Sequence, residues 1–229
     1  MRVLTRGSVG TPSRFLMYSS LKRVLDIFLA LGGLLVLAPV LLGLAAWIKL
    51  TDSGPVFYTG IRVGRGGLPF RMVKFRTMVL HAELRGPSST PGDDARITRP
   101  GRFIRRFKLD ETAQLLNVLR GDMSFVGPRP QVQWAVDLYT PEEKLLLSVR
   151  PGITDYASLR FRNEAEILRG SANPDEDYLE KIAPLKIKLG LHYVRTLSLV
   201  TDLKLIVATA LSVVGVDPEW CQPCGELAS

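Results

Sequence analysis

The chain is poor in cysteine. Only Cys221 and Cys224 occur in 229 residues, both close to the C-terminus. That excludes a disulfide framework and fits a reducing compartment. Trp220-Cys221-Gln222-Pro223-Cys224 has the Cys-x-x-Cys spacing of a redox box, but such a box needs a helix after it, and only five residues follow Cys224. A tail over 217–229 is the expected structure there, with adventitious metal binding as the lesser alternative. Acid is missing from the start of the chain: no Asp or Glu precedes Asp26. Internal repeats, heptads and low-complexity tracts are absent. Aromatic residues make up 8% of the chain. They interleave little with the basic residues, and no nucleic-acid motif is present, which argues against a nucleic-acid partner.

The chain has an excess of positive charge, +8 with a pI near 9.7. Such a balance favours phosphorylated small molecules or an anionic membrane face. It also has one long apolar run, Ile27 to Ile48, 22 residues without a charge. As a straight helix this run is roughly 33 Å long, about one hydrocarbon core. It starts too late and runs too long for a cleaved signal peptide. Residues 21–50 are therefore expected to lie in a membrane.

The flanks conflict with a simple crossing. Arg2, Arg6, Arg14, Lys22 and Arg23 precede the run; Lys49, Arg62, Arg65, Arg71, Lys74 and Arg76 follow it, against Asp52. Basic flanks prefer the cytoplasmic side, and both flanks claim it. Pro39, near the middle, removes one helical hydrogen bond, that of the Leu35 carbonyl. Flanking charge and Pro39 allow either a kinked spanning helix or a helix that enters, breaks and returns.

Residues 1–20 read as a flexible basic leader, mobile or lying on lipid headgroups. Pro55–Tyr58 and Phe70–Phe75 read as extended pieces around the turn Gly64-Arg65-Gly66-Gly67, hence a hairpin. Gly86–Asp94 reads as a loop. Leu109–Leu119, Glu142–Val149 and Pro174–Leu191 read as helices. Leu205–Val216, largely apolar but too short to span, suits a helix at the interface or against the core. The fold class expected is α+β and mainly helical, with a small domain over 51–216.

Four strings can carry chemistry. Asp110-Glu111 sits at a helix start, where carboxylates are favoured by unpaired N–H groups. With Arg102, Arg105, Arg106 and Lys108 upstream, the pair can also hold a divalent metal while the cations bind phosphate. Gly127-Pro128-Arg129-Pro130 locks an arginine between prolines, which suits bidentate phosphate recognition or merely a rigid turn. Arg150-Pro151-Gly152-Ile153-Thr154 repeats that theme. Lys74-Phe75-Arg76-Thr77-Met78 alternates cations and apolar residues on a strand, so Lys74 and Arg76 share a face.

Taken in order, these strings resemble the bacterial sugar transferase family, the monotopic phosphoglycosyl transferases. The resemblance also rests on Lys22-Arg23-Val24-Leu25-Asp26, the apolar run with Pro39, Leu109-Asp110-Glu111, and Asn117-Val118-Leu119-Arg120-Gly121-Asp122-Met123-Ser124. It covers roughly residues 22 to 214. It implies transfer of a sugar phosphate from a UDP-sugar to undecaprenyl phosphate, with release of UMP. Asp110 would be the nucleophile that forms a covalent phosphosugar intermediate, and Glu111 would be the partner of Mg²⁺, which the two carboxylates would hold. Lys74, Arg105, Arg129 and Arg150 would contact phosphate.

The resemblance further implies a re-entrant helix broken at Pro39. Both termini and the catalytic domain would then face the cytoplasm at the bacterial inner membrane, among its phospholipids. Interfacial amphipathic helices are expected, and a homodimer is compatible with it. Three departures stand out. Lys108 occupies a position where relatives often have Ser or Thr, and Asp155-Tyr156-Ala157-Ser158 stands where many read Gly-Trp-Ala-Gln. With a short leader, the multi-span domain of some relatives is not expected. Ala38 also precedes Pro39 where many have Ser. A basic adaptor for anionic lipid and a phosphohydrolase with water as acceptor are the rival readings.

Overall fold

The computed structural model describes residues 12–51, 53–216 and 221. Helix α1, Pro12–Thr51, is one 40-residue element. It begins inside the stretch expected as a flexible leader, and residues 1–11 lie outside the described residues. The break expected at Pro39 does not interrupt it: α1 carries Pro39 within a continuous helix. Loss of one hydrogen bond leaves the neighbouring turns intact, which is why helices in apolar surroundings tolerate proline.

Helix α1 packs on the domain that follows. Asp26 and Ala30 are buried near its middle, and Leu44 and Ile48 near its C-terminal end. Ala30 joins Met72, Leu115, Val118 and Met123. Leu44 and Ile48 join Val73, Phe75, Ile104 and Ala113. Met72 and Val73 are chain neighbours on one strand, so both stretches of α1 pack against it. Between them Leu35, Val36, Val40 and Leu42 stand exposed. Near Thr51, Trp47 lies 5.4 Å from Phe103, which lies 4.8 Å from Phe107, forming an aromatic row of the kind found at a membrane–water boundary.

The expected hairpin is present. Strands β1, Phe57–Val63, and β2, Pro69–Phe75, pair antiparallel from Phe57↔Phe75 to Val63↔Pro69. Gly66 and Gly67, with φ of 71° and 78°, supply the left-handed backbone that the turn needs. Helix α2, Arg99–Arg106, follows, capped by Thr98, whose hydroxyl accepts from Gly101 N at 3.1 Å. A 3₁₀ turn, Leu109–Gln114, leads into α3, Leu115–Arg120.

A second, parallel pair was not legible in the sequence. Strand β3, Ser124–Val126, pairs with β4, Gly152–Thr154, in the register Ser124↔Gly152. Three residues per strand leave no periodicity to read. Helix α4, Gln133–Asp137, and a 3₁₀ turn, Glu143–Ser148, lie between them in sequence. Helices α5, Tyr156–Arg160, and α6, Glu164–Ile167, follow β4.

The single helix expected over Pro174–Leu191 is two helices, α7, Pro174–Lys181, and α8, Ala183–Arg195. Pro184 opens α8, because a proline fits a first turn and not an interior. Helix α9, Leu199–Val213, buries Leu205 and Ala208 and exposes Val207 and Val213. The expected tail over 217–229 lies outside the described residues except for Cys221, which is buried against Tyr193 and Leu205.

Candidate active site

The 3₁₀ turn at Leu109 puts Asp110 and Glu111 in its first turn. Lys108, immediately before it, has φ 55° and ψ 25°. The chain needs this left-handed residue to turn from α2 into the 3₁₀ segment. A Ser or Thr cap would serve an ordinary helix start but has no such role here.

Glu111 is the hub of a cationic clamp. Lys74 Nζ donates to Glu111 Oε1 at 3.0 Å, and Arg129 donates to Oε2 at 3.0 Å and to Oε1 in a two-pronged contact. Burial alone would raise the Glu111 carboxyl. The charges of Arg129 and Lys74 outweigh that and hold it well below the usual carboxylate range. In turn the Glu111 charge raises the Arg129 guanidinium above its ordinary value, against burial.

Asp110 is buried, at 9% exposure, and differs in one respect. Lys74 Nζ approaches its Oδ2 to 3.8 Å, yet its carboxylate makes no hydrogen bond among the described residues. One acid of the pair is committed to positioning cations, and the other is left available.

Backbone packing sets this geometry. Asn117, fully buried, binds the edge of β2: its Oδ1 accepts from Val73 N at 2.8 Å and its Nδ2 donates to the Arg71 carbonyl at 2.7 Å. Those bonds fix the α3 side of the dyad to the strand that carries Lys74. The Arg129 loop is held by close backbone contact. Gly152 N donates to Pro128 O at 3.1 Å, and a Cβ on Gly152 would stand 2.1 Å from Gly127 N. Asn117 was legible only as part of a string; its bond to β2 was not.

The other sequence candidates divide. Arg105 donates from Nε to Thr77 Oγ1 at 2.9 Å. Burial lowers its guanidinium and Asp110 opposes that shift, which places it in the electrostatic field of the dyad. Arg150 does not join the clamp. Its Nε donates to the Gly121 carbonyl at 2.9 Å, at the end of α3 remote from Asp110. The Arg-Pro-Gly string rigidifies a backbone that pairs with β3, so its side chain emerges on that other side. Asp155, one of the departures, caps α5 by accepting from Ser158 N at 2.7 Å.

The sequence profile of the bacterial sugar transferases matches residues 17–216. The chain belongs to the bacterial sugar transferase family. A UDP-glucose:undecaprenyl-phosphate glucose-1-phosphate transferase of Caulobacter vibrioides is 41% identical over 202 residues, covering 86% of this chain and 70% of that protein. A UDP-N-acetylgalactosamine-undecaprenyl-phosphate N-acetylgalactosaminephosphotransferase of Aeromonas hydrophila is 34% identical over 199 residues, 86% of this chain but 44% of its own length. An exopolysaccharide production protein of Rhizobium leguminosarum bv. phaseoli is 39% identical, covering 84% of this chain and 94% of that protein. The chain thus spans well under two thirds of the Aeromonas relative. All of the clamp, from Lys74 to Arg129, falls within the family match.

The all-oxygen donor set of this sugar transferase suits Mg²⁺, which takes one or two carboxylates and completes its shell with substrate phosphate and water. Asp110 has oxygens free for that purpose; those of Glu111 are already engaged by Lys74 and Arg129. The described residues contain no cluster of three or more metal-ligating side chains, so any such ion depends on the substrate for ligands.

Proposed function

We propose that the chain transfers a sugar-1-phosphate from a UDP-sugar to undecaprenyl phosphate and releases UMP. The observation that carries this reading is the asymmetry of the dyad: Asp110, without a side-chain hydrogen bond among the described residues, beside a Glu111 clamped by Lys74 and Arg129. A carboxylate is a weak nucleophile, and neutralising the charge of the phosphate compensates for this. Lys74 and Arg129 bring two cations to the place where negative charge gathers. Glu111 keeps their side chains ordered before substrate arrives.

An Asp110 carboxylate oxygen attacks the sugar-bearing phosphorus, and the bond from that phosphorus to the bridging oxygen breaks. UMP departs with the bond's electron pair. An oxygen of undecaprenyl phosphate then attacks the same phosphorus, the Asp110–phosphorus bond breaks, and the carboxylate is restored. Mg²⁺, held by Asp110 and the substrate, would add Lewis-acid stabilisation of the diphosphate. Arg105 supports the site through its field at Asp110.

The same reading places α1 in the bacterial inner membrane as a re-entrant element that Pro39 bends without breaking, with the catalytic domain and both termini cytoplasmic. Its support is that Ala30, Leu44 and Ile48 of α1 pack on one domain while Leu35, Val36, Val40 and Leu42 between them present an exposed apolar face. The experiment is UMP release from a panel of UDP-sugars with undecaprenyl phosphate. Asp110→Asn should abolish it, and near-normal turnover in that variant removes the nucleophile role. Cysteines placed at positions 5 and 52 should both be labelled from the cytoplasmic face; labels on opposite faces restore a simple crossing.

A further inference from the structure

A second cationic site lies away from the dyad. A shallow cleft opens beside the N-terminal half of α1, and its walls include Lys22, Arg23, Arg65 and Arg150. Three separate segments supply these cations: α1, the tip of the β1–β2 hairpin, and the turn before β4. Arg23 donates to the Val118 and Leu119 carbonyls at 2.5 and 2.9 Å, and Arg150 to the Gly121 carbonyl, so both are anchored on the end of α3. Lys22 is paired with Asp202 at 2.9 Å, and Asp26 is bound by Ser124 and Phe125. Arg65 is exposed, and its side chain makes no hydrogen bond or ion pair among the described residues.

Four cations therefore face two carboxylates, an excess of two positive charges around one concavity. Burial lowers the Arg150 guanidinium, and the neighbouring charges of Arg23 and Arg65 lower it further. The cleft carries a field that an anion would relieve.

Its depth narrows the anion. Arg23 precedes Ile27, the first residue of the apolar run, by four residues, about 6 Å of helix. The headgroup layer beyond a hydrocarbon core is about 5–7 Å thick on each side. With α1 in a membrane, the cleft sits at the level of lipid phosphates. Asp110 is far from it: the 3₁₀ turn and α3 between Asp110 and Leu119 give roughly 15 Å of helical rise.

We propose that this cleft binds the phosphate headgroup of a membrane lipid, at a site separate from the reaction centre. The proposal rests on the membrane placement of α1 and not on the chemistry assigned to Asp110. Two lipids share the headgroup chemistry, an anionic glycerophospholipid and a polyprenyl phosphate, and the test separates them.

The full chain is reconstituted in phosphatidylcholine nanodiscs that carry a trace of photoactivatable phosphatidylglycerol, and crosslinks are mapped by mass spectrometry. Label is expected on the segments around Lys22 and Arg150. Arg65→Ala should reduce it about fivefold, and Arg65→Glu about 25-fold, at unchanged melting temperature. Arg65 is chosen because its side chain is exposed at the hairpin tip. Displacement by unlabelled phosphatidylglycerol, but not by polyprenyl phosphate, assigns the site to bulk lipid; the reverse assigns it to a holding site for a polyprenyl phosphate. Displacement by soluble UDP or inorganic phosphate at matched concentration overturns the lipid assignment. So does equal labelling of wild type and Arg65→Glu. Failure of the chain to associate with vesicles of either composition overturns the membrane placement as well.

Discussion

Glu111→Gln keeps the shape of the central carboxylate and removes its charge. Lys74 and Arg129 are then two like charges flanking a neutral amide. At the 3.0 Å separation of Lys74 Nζ and Glu111 Oε1, the gross attraction is about 5–6 kcal/mol for an effective dielectric of about 20. Desolvation offsets part of it, and breaking a fully buried pair costs about 3–5 kcal/mol net. The Lys74, Glu111 and Arg129 side chains keep 21, 18 and 28% exposure, so water screens some of the loss. A cost of about 2–3 kcal/mol follows, which for a chain of this length lowers the melting temperature by about 5–10 °C.

Tryptophan fluorescence of the reconstituted chain measures that melt. The decisive control is Arg129→Met, alone and combined with Glu111→Gln. The double variant removes the uncompensated guanidinium, so its loss should fall short of the sum of the two single losses by about 1 kcal/mol or more. Additivity within about 0.5 kcal/mol would refute the clamp.

Acid sensitivity follows from the same residue. The Glu111 carboxyl is held below its ordinary value of 4.5 in the fold, so its stabilisation is complete above that value and is lost as pH falls through the lower folded one. Wild type should therefore lose stability in this acid window, and Glu111→Gln should lack that component; parallel acid melts would contradict it. Gly101→Ala places a Cβ 1.9 Å from the Thr77 carbonyl oxygen, and should destabilise by about 1–3 kcal/mol or more in thermal melts. A variant that melts with wild type would mean that α2 and Thr77 stand further apart. At the left-handed Lys108, Lys108→Gly should be more stable than Lys108→Ala by about 1 kcal/mol; equal melting would deny the positive φ.

The hairpin was legible because its signals are local: alternating strands around Gly64-Arg65-Gly66-Gly67. Asp110, Glu111, Lys74 and Arg129 were legible as motifs. What the motifs could not convey was partnership. Arg129 grips Glu111, whereas Arg150, in a string of similar make-up, turns to the Gly121 carbonyl. The difference arises from the parallel pairing of β3 with β4, two strands too short to leave a pattern. The division of Pro174–Leu191 at Ile182 was missed although Pro184 marks it; apolar spacing on both sides masked the stop. Asp155 was legible only as a departure, and its meaning, a helix cap, depends on the backbone of Ser158.

The burial of Ala30, Leu44 and Ile48 bears on how the protein can be taken apart. These side chains fill the same interior that positions β2 and the 3₁₀ turn. The membrane segment is thus a wall of the enzyme and not a tether tied to it. A generic anchor of equal hydropathy would keep the chain at the bilayer but leave open cavities beneath Lys74 and Glu111. Solubilising the domain by cutting the anchor away would expose the same surface to water. One helix, long and apolar enough to cross a membrane, also completes the core beneath the strand that carries Lys74.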